Sequence, residues 1–314
     1  MSPRARLFVR VAIGVVVVGV LLIGLDTREV LDRLASTNLG LAAMGISGLV
    51  AIHLLGAATW RRLVGHLAGV RLPSRDSIAV YYTAQAVGGI TPGNLGGDAY
   101  RIYALMSTQS TAARVWPVVI QRATSLASLT TIAAVALIPL WNYGPWGAQM
   151  IVVAFVIITS AAAVGFVLVK AAARVGVANL SNVPRVQLMR ALRDGYVLGL
   201  AFHGAGIVLT YLLVQAVAPG SLSLIALSAV AVARLATAVP VTPSGLGVQE
   251  ALLAVLFAAT GLDPAVALAA LILARCSLVL TAIVGVLCLI ARRTTPVAVH
   301  REQRPAIPQK IAYQ

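Results

Sequence analysis

Two carboxylates stand where carboxylates are costly. Asp98 and Glu250 lie deep in an apolar chain, each just after a stretch broken by glycine and proline. An ionisable group at mid-bilayer costs ~2.5–3.5 kcal/mol on insertion scales and marks function by default. The first stretch runs from Thr91 to Arg101, TPGNLGGDAYR, and the second from Thr242 to Glu250, TPSGLGVQE. A shift of 151 positions lays Thr91, Pro92, Leu95 and Gly96 on Thr242, Pro243, Leu246 and Gly247. Four arginines accompany the two acids within the apolar runs: Arg101, Arg122, Arg234 and Arg275. That leaves a surplus of positive charge, and freed backbone N–H groups at two broken helices add to it. Guanidinium groups bind phosphate bidentately, so the chemistry is recognition of an anion, and inside a membrane the candidate is a lipid phosphate. Matching breaks in two halves of a hydrophobic chain point to a transporter's binding site.

Each residue also has a plainer reading. An acid in the first turn of a new helix offsets the positive helix end. Arg101 follows Asp98 by three places and suits a local ion pair. Arg122 either faces the site or snorkels to the headgroups. Arg275 near the middle of its run and Arg234, deep from the outer side, face a polar cavity or pair with Glu250. Thr91, Asn94, Thr242 and Ser244 either satisfy loop backbone or touch a headgroup, while Pro92, Gly93, Gly96, Gly97, Pro243, Gly245 and Gly247 supply hinges. His53 and His203 read as hydrogen-bonded packing residues. Gly195 and Gly199 form a weak helix-contact motif. Two acids in separate repeats supply metal chemistry poorly, so no metal or cofactor is expected.

The elements that position these residues follow from composition. Of 314 residues, 60% are hydrophobic and 11% charged, with net charge +15. The basic residues lie mostly between apolar runs, which fits the positive-inside rule and anionic headgroups rather than nucleic acid. Cys276 and Cys288 lie on one run, ~18 Å apart as helix, too far to pair. The expected fold is an all-α polytopic membrane protein with about six to eight transmembrane helices. Full spans are expected at Leu7–Leu25, Leu39–Thr59, Val115–Leu140, Gly147–Val169, Tyr196–Val217 and Ala265–Ile290. Asp26–Asn38 reads as a polar loop, Trp141–Trp146 as an interfacial aromatic turn and Arg185–Asp194 as a surface helix.

Ile78–Ile90 is too short to cross and runs into the first break, beyond which Ala99–Arg114 is too polar to face lipid. It reads as a re-entrant hairpin. Leu222–Val239 and Val248–Thr260 flank the second break and either form a second hairpin or both cross. Placing the N-terminus, the 60–77 loop, the 170–194 connection and the C-terminus in the cytoplasm puts nearly every loop Lys and Arg inside. Three crossings then separate the two breaks, so the repeats, roughly 39–140 and 196–291, are inverted. The transmembrane unit is expected over 1–291, with a disordered cytoplasmic tail over 292–314.

At these residues the chain resembles the flippase-like family typified by the transmembrane region of lysylphosphatidylglycerol synthase/flippase. The family's first signature matches Pro92, Gly93, Gly97, Asp98 and Arg101, and its second matches Pro243, Gly245, Gly247 and Glu250. A late helix arginine matches Arg275. Where the family usually carries a Glu-Arg pair, this chain has Gln121-Arg122. The resemblance implies an inner-membrane protein that moves or binds anionic, aminoacylated or polyprenyl-phosphate lipids, alone, as a homo-oligomer or beside a partner enzyme. The alternatives are a membrane-embedded enzyme or an accessory subunit acting on such lipids.

Overall fold

The computed structural model describes residues 27–89, 91, 94–105, 111–140, 183–220, 223–235, 247–292 and 300–301. The expected spans at Leu7–Leu25 and Gly147–Val169, the aromatic turn at Trp141–Trp146 and almost all of the tail lie outside these residues.

The polar stretch before the second run is a helix rather than a loop: α1, Thr27–Ala35. Its spacing is amphipathic. Val30 is buried, Leu34 packs on the core, and Glu29 and Arg33 face each other one turn apart. Asn38 then caps α2, Leu39–Ala51, by accepting from the Leu41 amide at 3.1 Å. α2 continues through Ile52 into α3, His53–Ala68, making one apolar helix of 30 residues. Gly69, at φ 65°, ends it in the left-handed region that glycine adopts without strain.

After the two-residue strand β1, Val70–Arg71, come α4, Ser74–Gly89, and α5, Leu95–Tyr103. The two are antiparallel. Asn94 abuts Gly88, Gly97 abuts Ala84, Arg101 lies over Tyr81, and Leu105 packs with Val80. α6 is Thr111–Leu140, so Arg114 belongs to this span and not to the returning arm. α7, Arg185–Val217, is one continuous helix in which the expected surface segment is simply the first turns of the span. α8, Leu224–Ala233, α9, Val248–Ala259, and α10, Pro264–Arg292, complete the helices described. Strand β2, His300–Arg301, pairs antiparallel with β1.

Four of these helices are long and apolar enough to cross a bilayer: Leu39–Ala68, Ala113–Leu140, Arg185–Val217 and Pro264–Ala291. Each leaves most of its apolar window outside the protein interior, as at Val135, Ile138, Val279 and Leu287. Lipid is the solvent that tolerates such surface.

The element order repeats at the 151-residue shift. The α2–α3 helix corresponds to α7, α4 to α8, α5 to α9, and α6 to α10. Corresponding helices run antiparallel. The Asn38 amide donates to the Ala216 carbonyl at 2.8 Å, Gly45 meets Leu213, His53 stacks near Phe202, and Arg62 reaches Asp194. The repeats are therefore inverted. At the same shift Ile52 corresponds to His203, one place from the His53–Phe202 ring contact, so the inversion axis crosses the bundle near there.

The contacts also fix how the hairpins enter. Call the face where α3 ends the near face. Leu63 and Leu67 share a cluster with Trp116 and Ile120, so α6 starts at the near face. Leu105 returns to Val70 and Leu72, so the α4–α5 hairpin enters and leaves at that face. At the far face, the Ser223 amide donates to the Tyr211 hydroxyl at 3.0 Å, starting α8 where α7 ends. Asp263, between α9 and α10, bonds Arg33 of α1 at 2.9 Å beside the start of α2, so the α8–α9 hairpin returns to the far face. This resolves the two readings of 222–260 in favour of re-entrance. The Gly195 and Gly199 motif does pack: an added Cβ would lie 2.5 Å from Thr124 Oγ1 and 2.5 Å from Ser128 Oγ of α6.

Candidate functional site

The two hairpins carry one acid–arginine pair each. In the first, Asp98 sits in the opening turn of α5, and its Oδ2 accepts from Arg122 Nε at 2.9 Å and from Nη2 at 2.8 Å. Its Oδ1 accepts from Arg101 Nη2. The expected local ion pair is present, and a second arginine from the next helix shares the carboxylate. Arg122, expected either to snorkel or to face the site, pairs with Asp98, with 39% of its side chain still exposed.

Arg101 is nearly buried at 5%. Its other nitrogen, Nη1, donates to Gln121 Oε1 at 2.7 Å, and its guanidinium lies 5.5 Å from the Tyr81 ring centre. Gln121 in turn donates to the Gly56 carbonyl at 3.2 Å. The amide thus serves where the family usually carries an acid: its oxygen accepts a hydrogen bond from Arg101 and its NH₂ ties α6 to α3. Tyr81 and Gln121 are site residues that the sequence reasoning did not assign. The one available signal was for Gln121, which directly precedes Arg122; Tyr81, on α4, carried none.

In the second hairpin, Glu250 Oε1 accepts from Arg275 Nε at 2.7 Å. Its Oε2 accepts from the Gly247 amide at 2.8 Å, which caps α9. Glu250 thus caps a helix and binds an arginine at once. Glu250 is 3% exposed. Arg275 therefore takes the partner expected of Arg234 or Arg275. Arg234 instead reaches α7, where its Nη1 donates to the Gly206 carbonyl at 3.4 Å and to Thr210 Oγ1 at 3.3 Å. The four arginines do not gather at one point. They are distributed over the two hairpin pairs and the α8–α7 contact.

At the first tip, the backbone reading of Thr91 holds. Its hydroxyl donates to the Gly88 carbonyl at 3.0 Å and accepts from the Gly96 amide at 2.9 Å. Asn94 takes a left-handed φ of 59°, and its Nδ2 donates to Gln85 Oε1 at 3.4 Å. A Cβ on Gly97 would lie 2.3 Å from the Ala84 carbonyl oxygen. Pro92, Gly93, Thr242, Pro243, Ser244 and Gly245 lie outside the described residues. Gly247, at φ 82°, opens α9.

One ion cluster at the near face was not anticipated. Asp194 accepts from His66 Nε2, Arg62 and Arg193 at 3.1, 3.5 and 2.8 Å, joining α3 to α7. At the far face Arg33 bonds Asp263 at 2.9 Å.

An inverted pair of re-entrant hairpins in a bundle of long apolar helices defines a polytopic membrane protein of inverted-repeat architecture. The family model described as the lysylphosphatidylglycerol synthase TM region matches residues 7–285, and the chain belongs to that family. That places it among membrane proteins of lipid metabolism or transport. Compared with curated proteins, the chain finds no match.

Proposed function

We propose that this protein binds an anionic, phosphate-bearing lipid between its two hairpins and carries it across the membrane. The observation that carries the reading is the pair of acid–arginine contacts, Asp98–Arg122 and Glu250–Arg275, one on each of two oppositely inserted hairpins. Four arginines against two carboxylates leave the interior positive, which suits a phosphate that guanidinium groups can grip. Arg122 is the arginine most open to an incoming headgroup. Asp98 and Glu250 hold the arginines in place, and Asp98 shifts between Arg101 and Arg122 as the near-face hairpin moves about its glycine-rich break.

The orientation follows from charge. Arg61, Arg62, Arg71, Arg75, Arg114, Arg185, Arg190 and Arg193 all belong to the near face, whereas Arg28 and Arg33 at the far face stand beside Glu29, Asp32 and Asp263. The near face is the cytoplasmic one by the positive-inside rule.

The test is reconstitution into vesicles carrying labelled anionic lipid in one leaflet, with Asp98→Asn, Arg122→Ala and Glu250→Gln beside the unaltered protein. Loss of lipid movement in Arg122→Ala and at least one acid variant is expected. Equal movement in all three removes the mechanism. Appearance of a chemically altered lipid instead would establish an enzyme.

A further inference from the structure

The two spans that close the repeats, α6 and α10, each touch both hairpins. α6 holds the second arm of the near-face hairpin, where Arg122 Nε and Nη2 bond Asp98. Toward its other end, Leu129 and Ala133 form a buried cluster with Leu235, at the end of the first arm of the far-face hairpin. α10 repeats the arrangement upside down. Arg275 holds the second arm of the far-face hairpin through Glu250 at 2.7 Å. Toward its other end, the Gly285 carbonyl accepts from Thr83 Oγ1 of α4 at 3.2 Å, in the first arm of the near-face hairpin. The approach there is close: a Cβ on Gly285 would lie 2.3 Å from the Tyr82 carbonyl oxygen and 2.8 Å from Ala86 Cβ. The 151-residue shift lays Ala134 on Gly285 and Ala84 on Leu235, so the two crossed contacts fall at equivalent levels.

The helix between each grip and its crossed contact is stiff. Neither glycine nor proline lies between Arg122 and Ala133 or between Arg275 and Gly285, ~15 Å of helix in each case. Along that stretch α6 bears on α7, where Gly195 and Gly199 admit Thr124 and Ser128. A close-packed contact passes a displacement on instead of absorbing it. We infer that α6 and α10 are crossed levers: each carries movement of the acid–arginine pair of one hairpin to the first arm of the opposite hairpin. The two hairpins then move as a coupled pair. A carrier that exposes its site to one side at a time needs such coupling. The device goes beyond the lipid-binding reading and does not depend on it.

Electron paramagnetic resonance between spin labels in phosphatidylcholine nanodiscs tests the levers with no anionic lipid present. The native cysteines are first replaced, Cys276→Ser and Cys288→Ala. Leu39→Cys and Leu224→Cys, both exposed at the starts of α2 and α8, label the far face. Arg75→Cys on α4 and Met189→Cys on α7, also exposed, label the near face. Both pairs are read with Arg122→Ala and with Arg275→Ala. Arg122→Ala is expected to shift the far-face distances, and Arg275→Ala the near-face ones. Leu235→Ala loosens the joint between α6 and α8 and, measured against Leu235→Ala alone, should largely abolish the far-face shift. Where an alanine variant does not fold, Arg122→Lys or Arg275→Lys replaces it, since lysine keeps the charge but loses the bidentate grip. Shifts confined to the face of the altered arginine would overturn the levers. So would a far-face shift that survives Leu235→Ala undiminished. Either failure leaves the lipid-binding reading standing, which is tested by lipid movement alone.

Discussion

The two hairpins share a plan but differ in how firmly each acid is committed. Glu250 spends one oxygen on capping α9 through Gly247 and the other on Arg275, and it is almost fully buried. Asp98 caps nothing. It divides its oxygens between Arg101 and Arg122, and Arg101 has further support from Gln121 and Tyr81. The far-face acid is thus part of the frame, whereas the near-face acid is one member of a network that can rearrange without losing every contact. An inverted repeat need not be energetically symmetric. Here the near-face hairpin carries the adaptable half.

The sharpest way to break this contrast is to remove each acid in turn. Glu250→Ala removes the carboxylate that holds Arg275 and uncaps α9 at once. Breaking a buried pair by deleting one partner costs ~3–5 kcal/mol. Asp98→Ala leaves Arg101 with Gln121 and Tyr81 and leaves Arg122 free to reach polar surroundings. Thermal unfolding in detergent should therefore show the larger loss for Glu250→Ala. Equal losses would mean that the two acids are committed alike.

The tips offer a second, smaller contrast. Gly97→Ala drives a Cβ to 2.3 Å from the Ala84 carbonyl oxygen, where rigid backbone must move. Overpacking of this kind costs ~1–3 kcal/mol. The same register position in the second hairpin is occupied by Val248, half-buried, so α9 accepts a side chain where α5 does not. Gly89→Ala is the control, since nothing among the described residues lies within 4 Å of its added Cβ. Folded yield and melting temperature should fall for Gly97→Ala and hold for Gly89→Ala. A tolerated Gly97→Ala would show that the near-face hairpin is looser than its contacts imply.

Much of this was legible in the sequence, and the reason is physical. A chain that must hide its backbone polar groups in lipid announces spans by length and breaks by glycine and proline. The two breaks, their acids and the inversion were readable because charge bias and repeat register are independent signals. Partner choice was not readable. Arg234 and Arg275 were equal candidates for Glu250, and only the rotation of α10 against α9 decides for Arg275. Helix ends were misjudged where local amphipathicity or packing overrode polarity, at Thr27–Ala35 and through Gly195. The Asp194 cluster was hidden because its partners Arg62 and His66 lie more than 120 residues away.

A third contrast is between the ion pairs themselves. Double-mutant cycles with Asp98→Asn and Arg122→Gln, and with Glu250→Gln and Arg275→Gln, measure each coupling by melting in detergent. Residues in direct contact couple by ~0.5–3 kcal/mol. Glu250–Arg275 should lie toward the upper end because both groups are largely buried. Asp98–Arg122 should lie toward the lower end because Arg122 is more than a third exposed and Arg101 competes for the carboxylate. Reversal of that order would move the frame to the near face.

The smallest effects belong to the ties at the membrane surfaces. At the far face Arg33 holds Asp263, with side chains 39% and 29% exposed. At the near face Asp194 is mostly buried and is held by three basic groups, two of them from α3. An exposed pair contributes ~0.2–1 kcal/mol and is screened by salt. Arg33→Gln should lower the melting temperature slightly, and the difference should shrink between low and high salt. Asp194→Asn should cost more and retain most of its effect at high salt, because its carboxylate is shielded from ions. If both ties weaken equally with salt, the near-face cluster is an open surface pairing, and the bundle is closed alike at its two ends.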